Sequence, residues 1–260
     1  MDLRGYFERI GYTEGGTDTE RLRRLHRCHL LNIPFEALDV FNGKTLSLLP
    51  EDLFRKLVTD RRGGYCFEMN ALFYEAVKAM GIPIYGVLAR VAAGPGGFGG
   101  HTHRMNIAEA DGTRWVCDVG FGGDCPFEPL KLELGLEQPV HGCVYRIVEG
   151  TQVQYAVQIL QDGQFGDILG FDDIPALPVD FEQGNFYTNF HPTSAFRNFL
   201  MLNRFTEDGR ASMFNLSLNL VTSQGARRRD VSWEELPEVL KTHFGLSVTP
   251  DHPPLPLSRP

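Results

Sequence analysis

The spacing of apolar positions changes along the chain. Up to about residue 81 they recur every three or four residues, the helical period. Thr17 to Glu20 read as a capping box ahead of "ERLRRLHRCHLL", where Leu22, Leu25, Cys28 and His29 fall on helical spacing. Pro34 in "NIPFEALDV" cannot continue that helix. "PEDLFRKLVT" opens with proline and two acids, a favourable helix start. After Cys66, the positions Met69, Leu72, Phe73, Ala76, Val77 and Met80 form one apolar stripe. Gly81 ends that helix and Pro83 follows.

From about residue 82 the period becomes two. "IPIYGVLARVAA" reads as a strand and "GPGGFGG" as a flexible loop. "HTHRMNIAEADGTRWVCDVGF" reads as a hairpin about the two-residue turn Asp111-Gly112. "HGCVYRIVEG", "TQVQYAVQIL" and "QFGDILGF" continue the strand pattern. The end of the chain is mixed: strands about the turn "EDGR", a capped helix from Ser232 and Glu235, and an extended proline-rich tail, "TPDHPPLPLSRP". The pattern predicts an α+β protein in three parts. Residues 1–81 are helical, 82–185 are β-rich, and 186–260 are mixed.

Bulk properties narrow the function. The 260 residues, 42 % hydrophobic and 22 % charged, suffice for a real core. A net charge of −8 disfavours nucleic acid and anionic membrane as partners. No window has the length of a membrane span and the N-terminus carries no long apolar run, so the expected location is cytoplasmic. Five cysteines without a CxxC spacing point to reduced thiols.

The hairpin concentrates the chemistry. A symmetric turn pairs Ala110 with Thr113, Ile107 with Val116, Met105 with Asp118 and His103 with Gly120. His103 and Asp118 then share a face on diagonal positions, with His101 one step further away. A carboxylate beside an imidazole fixes its tautomer and prepares the other nitrogen to take a proton. Cys66, at a helix start where free N–H groups favour a thiolate, is the candidate nucleophile. Gly63 and Gly64 would let the backbone approach a substrate closely. Blander readings stand beside these. Cys66 could be a small core hydrophobe. His101, His103 and Asp118 could hold a metal, although no nearby motif completes a four-ligand set. Asp118 could be a turn former. "GPGGFGG" lacks the Lys-Ser/Thr ending of a phosphate loop. "RRR" at 227–229 reads as a solvated loop that could attract an anion.

"RRGGYCFEMN", "THRMN" and "CDVGFGG" resemble the signature blocks of the arylamine N-acetyltransferase family. "NIPFEALDV" and "NFYTNFHPTSAF" resemble two further blocks, and the gaps of 37 and 15 residues from cysteine to histidine to aspartate fit. The resemblance runs from about residue 20 to 200. It implies a helical bundle, a β-barrel and an α/β lid, with a core like that of cysteine proteases and transglutaminases. It also implies a Cys66–His103–Asp118 triad, no metal, and a ping-pong reaction through acetyl-cysteine. The donor would be acetyl-CoA and the acceptor an arylamine, hydrazine or arylhydroxylamine, which belongs to xenobiotic metabolism. Gly99, Gly100, Gly122 and Gly123 match positions near the donor, and Phe35 and Phe121 match the acceptor pocket. Arg62 and Glu68 match positions expected to support the catalytic helix. The same fold and triad would also suit an amide synthase that releases or cyclises an aryl-amine polyketide chain. A papain- or transglutaminase-like thiol hydrolase is a further alternative.

Overall fold

In the computed structural model, residues 1–94 and 97–254 are described. Pro95 and Gly96 of the glycine-rich loop, and Leu255–Pro260 of the tail, lie outside the described residues. Helix α1 (Leu3–Ile10) is capped by the Asp2 carboxylate, which accepts from Gly5 N. Helix α2 (Asp18–Asn32) opens on the Thr17–Glu20 box with both reciprocal bonds formed, and ends before Pro34. A two-residue strand β1 (Phe35–Glu36) and a single turn α3 (Leu38–Phe41) follow. Helix α4 (Pro50–Phe54) widens into a π-helical turn at Arg55–Thr59.

Helix α5 (Cys66–Ala79) is buried far beyond its apolar stripe: Phe67, Glu68, Asn70 and Ala71 are enclosed as well. It has helices on one side and the barrel sheet on the other, so no face of its first two turns reaches water. Asn70 and Glu68 can be buried because each is hydrogen-bonded.

Eight antiparallel strands form the next layer. They are β2 (Ile84–Val91), β3 (His103–Ala110), β4 (Thr113–Cys117), β5 (Leu130–Lys131), β6 (Gln138–Val140), β7 (Cys143–Glu149), β8 (Tyr155–Gln161) and β9 (Gln164–Phe171). Their order, β5-β4-β3-β2-β9-β8-β7-β6, makes a nearly closed barrel. The seam between β5 and β6 is held by one side chain. The Gln138 amide accepts from Lys131 N at 2.7 Å and donates to Lys131 O at 3.0 Å. Inward-facing residues such as Met105, Ile107, Val116 and Phe171 fill the barrel.

Helix α6 (Pro178–Phe190) runs across the expected boundary at residue 185. The apolar pattern gives little sign of it, because its buried face includes Asn185, Thr188 and Asn189. A short turn α7 (Ala195–Asn198) leads to β10 (Met201–Thr206), β11 (Gly209–Phe214), β12 (Ser217–Thr222) and β13 (Gly225–Asp230). Their sheet has the order β1-β10-β11-β12-β13, so β1 ties the helical part to the C-terminal sheet. Arg227–Arg229 therefore lie on an edge strand and not in a loop, and cationic side chains suit an unpaired edge. One face of this sheet packs on α8 (Leu236–Val239) and the turn Leu240–Phe244 around Leu202, Met213 and Leu218. Ser232 and Glu235 form the expected reciprocal cap ahead of α8.

No helix among the described residues is long and apolar enough to cross a membrane. The five cysteines are free.

Candidate active site

The hairpin register matches its expectation from Ala110–Thr113 through Ile107–Val116 to Asn106–Cys117, where the ladder stops. Met105–Asp118 and His103–Gly120 are therefore not ladder pairs. Freed from the strand, Asp118 places Oδ2 2.6 Å from His103 Nε2. An ionised carboxylate only accepts, so Nε2–H donates. That leaves Nδ1 as the free nitrogen of the ring, and Cys66, whose Sγ lies 3.8 Å from Thr102 O, sits close enough to the imidazole to favour its charged form. Cys66, His103 and Asp118 are 3 %, 2 % and 3 % exposed. His101 lies on an exposed bend outside this group. Among the described residues no three His, Cys, Asp or Glu side chains cluster as a metal would require.

Burial opposes charge on His103, yet the Asp118 carboxylate and the Cys66 sulfur outweigh it and lift the imidazole to about 10. Burial likewise pushes Asp118 up, and His103, Asn70 Nδ2 and Gly120 N more than reverse it, so Asp118 lies below the usual carboxylate range. The pairing favours an imidazolium facing an ionised Asp118.

Asn70 holds this geometry. Its Nδ2 donates to Asp118 Oδ1 at 2.9 Å and to Arg104 O at 2.6 Å, while its Oδ1 accepts from Val119 N at 3.0 Å. Sequence reasoning assigned it no function, although one signal was present. Asn70 follows Cys66 by four residues and so shares its helix face.

Gly63 and Gly64 do not face the substrate space. A Cβ on Gly63 would collide with Pro34 O and come within 2.6 Å of Glu36 Cγ. The glycine pair instead lets the loop before Cys66 bond to the segment around β1: Glu36 N donates to Gly64 O at 2.9 Å. Arg62 pairs with Glu36 at 2.8 Å and Asp39 at 3.1 Å. Lys56 joins Asp39 at 2.9 Å to Glu68 at 2.7 Å. Glu68 also accepts from Tyr65 N at 3.2 Å and so caps α5. Arg62 and Glu68 thus brace the catalytic helix within one ionic network without touching each other directly.

Gly120 packs against the Cys66 backbone itself. A Cβ there would lie 2.7 Å from Cys66 Cα and 2.9 Å from Asn70 Nδ2. Gly120→Ala is expected to cost about 2 kcal/mol by overpacking. It should also lower kcat/KM at least tenfold, on the order of what misplacing a reacting group costs. Urea midpoints and initial rates would check this, and a variant with unchanged values for both would refute it.

Cys66 and His103 open on a cleft of about 800 Å³. Its lining includes Phe35, Phe121, Gly122, Gly123, Phe196 and Thr102. Phe121 meets the His103 ring edge-on at 5.6 Å. Gly99 and Gly100 are not part of the lining; Gly99 is tied to the backbone of Val91 and the Arg90 guanidinium. The N–H of Cys66, in the first turn of α5, has no acceptor among the described residues.

A cysteine at a helix start, with an imidazole oriented by a buried carboxylate, belongs to the class of thiol enzymes that work through acyl-cysteine. The chain matches the N-acetyltransferase family over residues 18–252, and it belongs to the arylamine N-acetyltransferases. It is 32 % identical to an arylamine N-acetyltransferase / N-hydroxyarylamine O-acetyltransferase of Salmonella typhimurium, over 95 % of this chain and 89 % of that one. It is likewise 32 % identical to an Escherichia coli arylamine N-acetyltransferase at the same coverages. The solved Salmonella typhimurium enzyme superposes with a TM-score of 0.90 at 30 % identity, over 98 % of this chain and 94 % of that one. The Mycobacterium marinum enzyme in complex with CoA gives 0.90 at 29 % identity, over 95 % and 93 %.

Proposed function

We propose that this chain moves an acetyl group from acetyl-CoA to an arylamine, arylhydrazine or arylhydroxylamine through an acetyl group carried on Cys66. The observation that carries the reading is the buried Cys66–His103–Asp118 relay opening on the cleft.

The Cys66 thiolate attacks the thioester carbonyl and a carbon–sulfur bond forms. The bond to CoA breaks, and the CoA sulfur leaves with the electron pair and takes the His103 proton. The amine then attacks acetyl-Cys66. His103 accepts a proton from its nitrogen, the amide departs, and the thiolate–imidazolium pair is restored. Asp118 keeps Nε2 occupied, so only Nδ1 exchanges protons with the reactants. The unpartnered Cys66 N–H is the oxyanion donor in this reading. Phe35 and Phe121 form the aromatic floor for the acceptor, and Gly122 and Gly123 leave room beside it for the donor.

Mass spectrometry of the intact protein after mixing with acetyl-CoA tests this directly. One acetyl group on the Cys66 peptide, discharged by aniline as acetanilide, is the expected result. An unmodified protein, or an acetyl group elsewhere that aniline does not remove, would overturn it.

A further inference from the structure

One rung of the C-terminal sheet crosses the cleft from end to end. Phe35 pairs with Asn203, Asn203 with Ser212, Ser212 with Asn219, and Asn219 with Arg228. Residues paired in this way present side chains on one face. All five line the cleft. The rung is graded: aromatic at the inner end, amide and hydroxyl in the middle, cationic at the outer edge.

Three observations give the grading a meaning. Asn203 is 4 % exposed and its Nδ2 has no acceptor, an unmet donor in the cleft wall. Ser212 and Asn219 have no side-chain hydrogen bond among the described residues. Arg228 has no carboxylate partner among them either, whereas its neighbour Arg229 pairs with Glu235 on the opposite face at 3.5 Å. Its only side-chain bond among the described residues runs inward, from Nε to Ser217 Oγ at 2.8 Å, which leaves the outer nitrogens without a partner among them. In a protein of net charge −8, an unpaired guanidinium at the cleft mouth is a local anion site.

The length of the rung selects the ligand. Four strand spacings place Arg228 about 19 Å from Phe35 between Cα atoms. A pantetheine arm has about 13 bonds between sulfur and phosphorus and spans about 16 Å when extended. It carries two amides that need partners along the way. The inward lean of the Arg228 side chain takes up the difference.

We propose that Arg228 holds the phosphate at the far end of the donor's pantetheine arm, and that the arm lies along the rung with Asn203 donating to one of its carbonyls. This rests on acetyl transfer from a pantetheine thioester. The shared chemistry is phosphopantetheine, whether it belongs to CoA or is borne by a carrier protein.

The experiment compares kcat/KM for acetyl-CoA, S-acetyl-4′-phosphopantetheine and S-acetylpantetheine in the parent, Arg228→Ala, Arg228→Lys and Arg227→Ala. Arg227 points to the other face and serves as the control. In the parent, each phosphorylated donor should exceed S-acetylpantetheine by roughly tenfold or more, the worth of a charge-assisted hydrogen bond. Arg228→Ala should reduce both ratios by threefold or more, Arg228→Lys should retain part of them, and Arg227→Ala should match the parent. Ratios in Arg228→Ala that stay within threefold of the parent's overturn the proposal. So does a loss confined to acetyl-CoA, which would place Arg228 at the nucleotide end. A parent that turns over S-acetylpantetheine but not acetyl-CoA would overturn the donor assignment itself, a separately visible result.

Discussion

Cys66→Ala is expected to lower kcat/KM for acetyl transfer by roughly 10⁴-fold or more, the scale on which acyl-transfer enzymes lose rate when the nucleophile is removed. In the proposed reaction the Cys66 sulfur supplies the bond that splits acetyl transfer into two steps, and the other thiols are poorly placed to replace it. Cys117 and Cys125 are buried and burial pushes both thiols up, away from the thiolate. Cys28 and Cys143 lie outside the cleft lining. The fold should survive, because one atom is lost from a site that keeps its His103–Asp118 bond. The stability cost is about 1 kcal/mol, that of a small deleted group. Steady-state rates together with thermal unfolding would check both halves. A variant retaining a tenth of the parent rate would end the assignment of Cys66 as nucleophile.

Asp118→Asn is expected to be nearly as severe, on the order of 10³- to 10⁴-fold in kcat, because an amide can satisfy the wrong tautomer of His103. It also changes stability, with a definite pH signature. His103 is raised in the folded protein to about 10, so its contribution is complete below its unfolded value and is lost as pH rises through about 10. Asp118 is lowered, so its contribution is present above its unfolded value and is lost as pH falls through the folded one. Both terms are therefore in force in the neutral range and both vanish in the variant. Breaking a buried pair on this scale costs about 3 kcal/mol. Denaturant midpoints should show the gap between parent and variant as widest near neutrality and narrowing toward both extremes. A gap independent of pH would contradict the pairing.

Much of this site was legible because period-two alternation and a two-residue turn fix a hairpin register. The register put His103 and Asp118 at the same end of the hairpin, although the ladder stops at Asn106–Cys117 and Asp118 reaches His103 from beyond it, and the helix start put Cys66 in play. Four things were not legible, for physical reasons. The glycine pair before Cys66 was read as facing the substrate, whereas Gly63 is pressed on Pro34, a contact between segments almost 30 residues apart in sequence. Helix α6 buries Asn185, Thr188 and Asn189, so a pattern built on apolar positions passes over it. The strand Gly225–Asp230 is exposed at every residue, and an edge strand without a buried face carries no alternation. The ionic network around Lys56, Arg62 and Asp39 joins separate segments and has no local signature.

The two residues of β1 have a mechanical consequence. Phe35 pairs with Asn203 on one side and bridges to Gly64 on the other, two residues before the nucleophile. The C-terminal sheet and the loop before Cys66 are thus joined through this two-residue strand. A movement of the sheet would pull on the bridge at Gly64, two residues before Cys66. A shift of the C-terminal wall of the cleft is thus passed directly to the backbone beside Cys66, so the two are mechanically one piece.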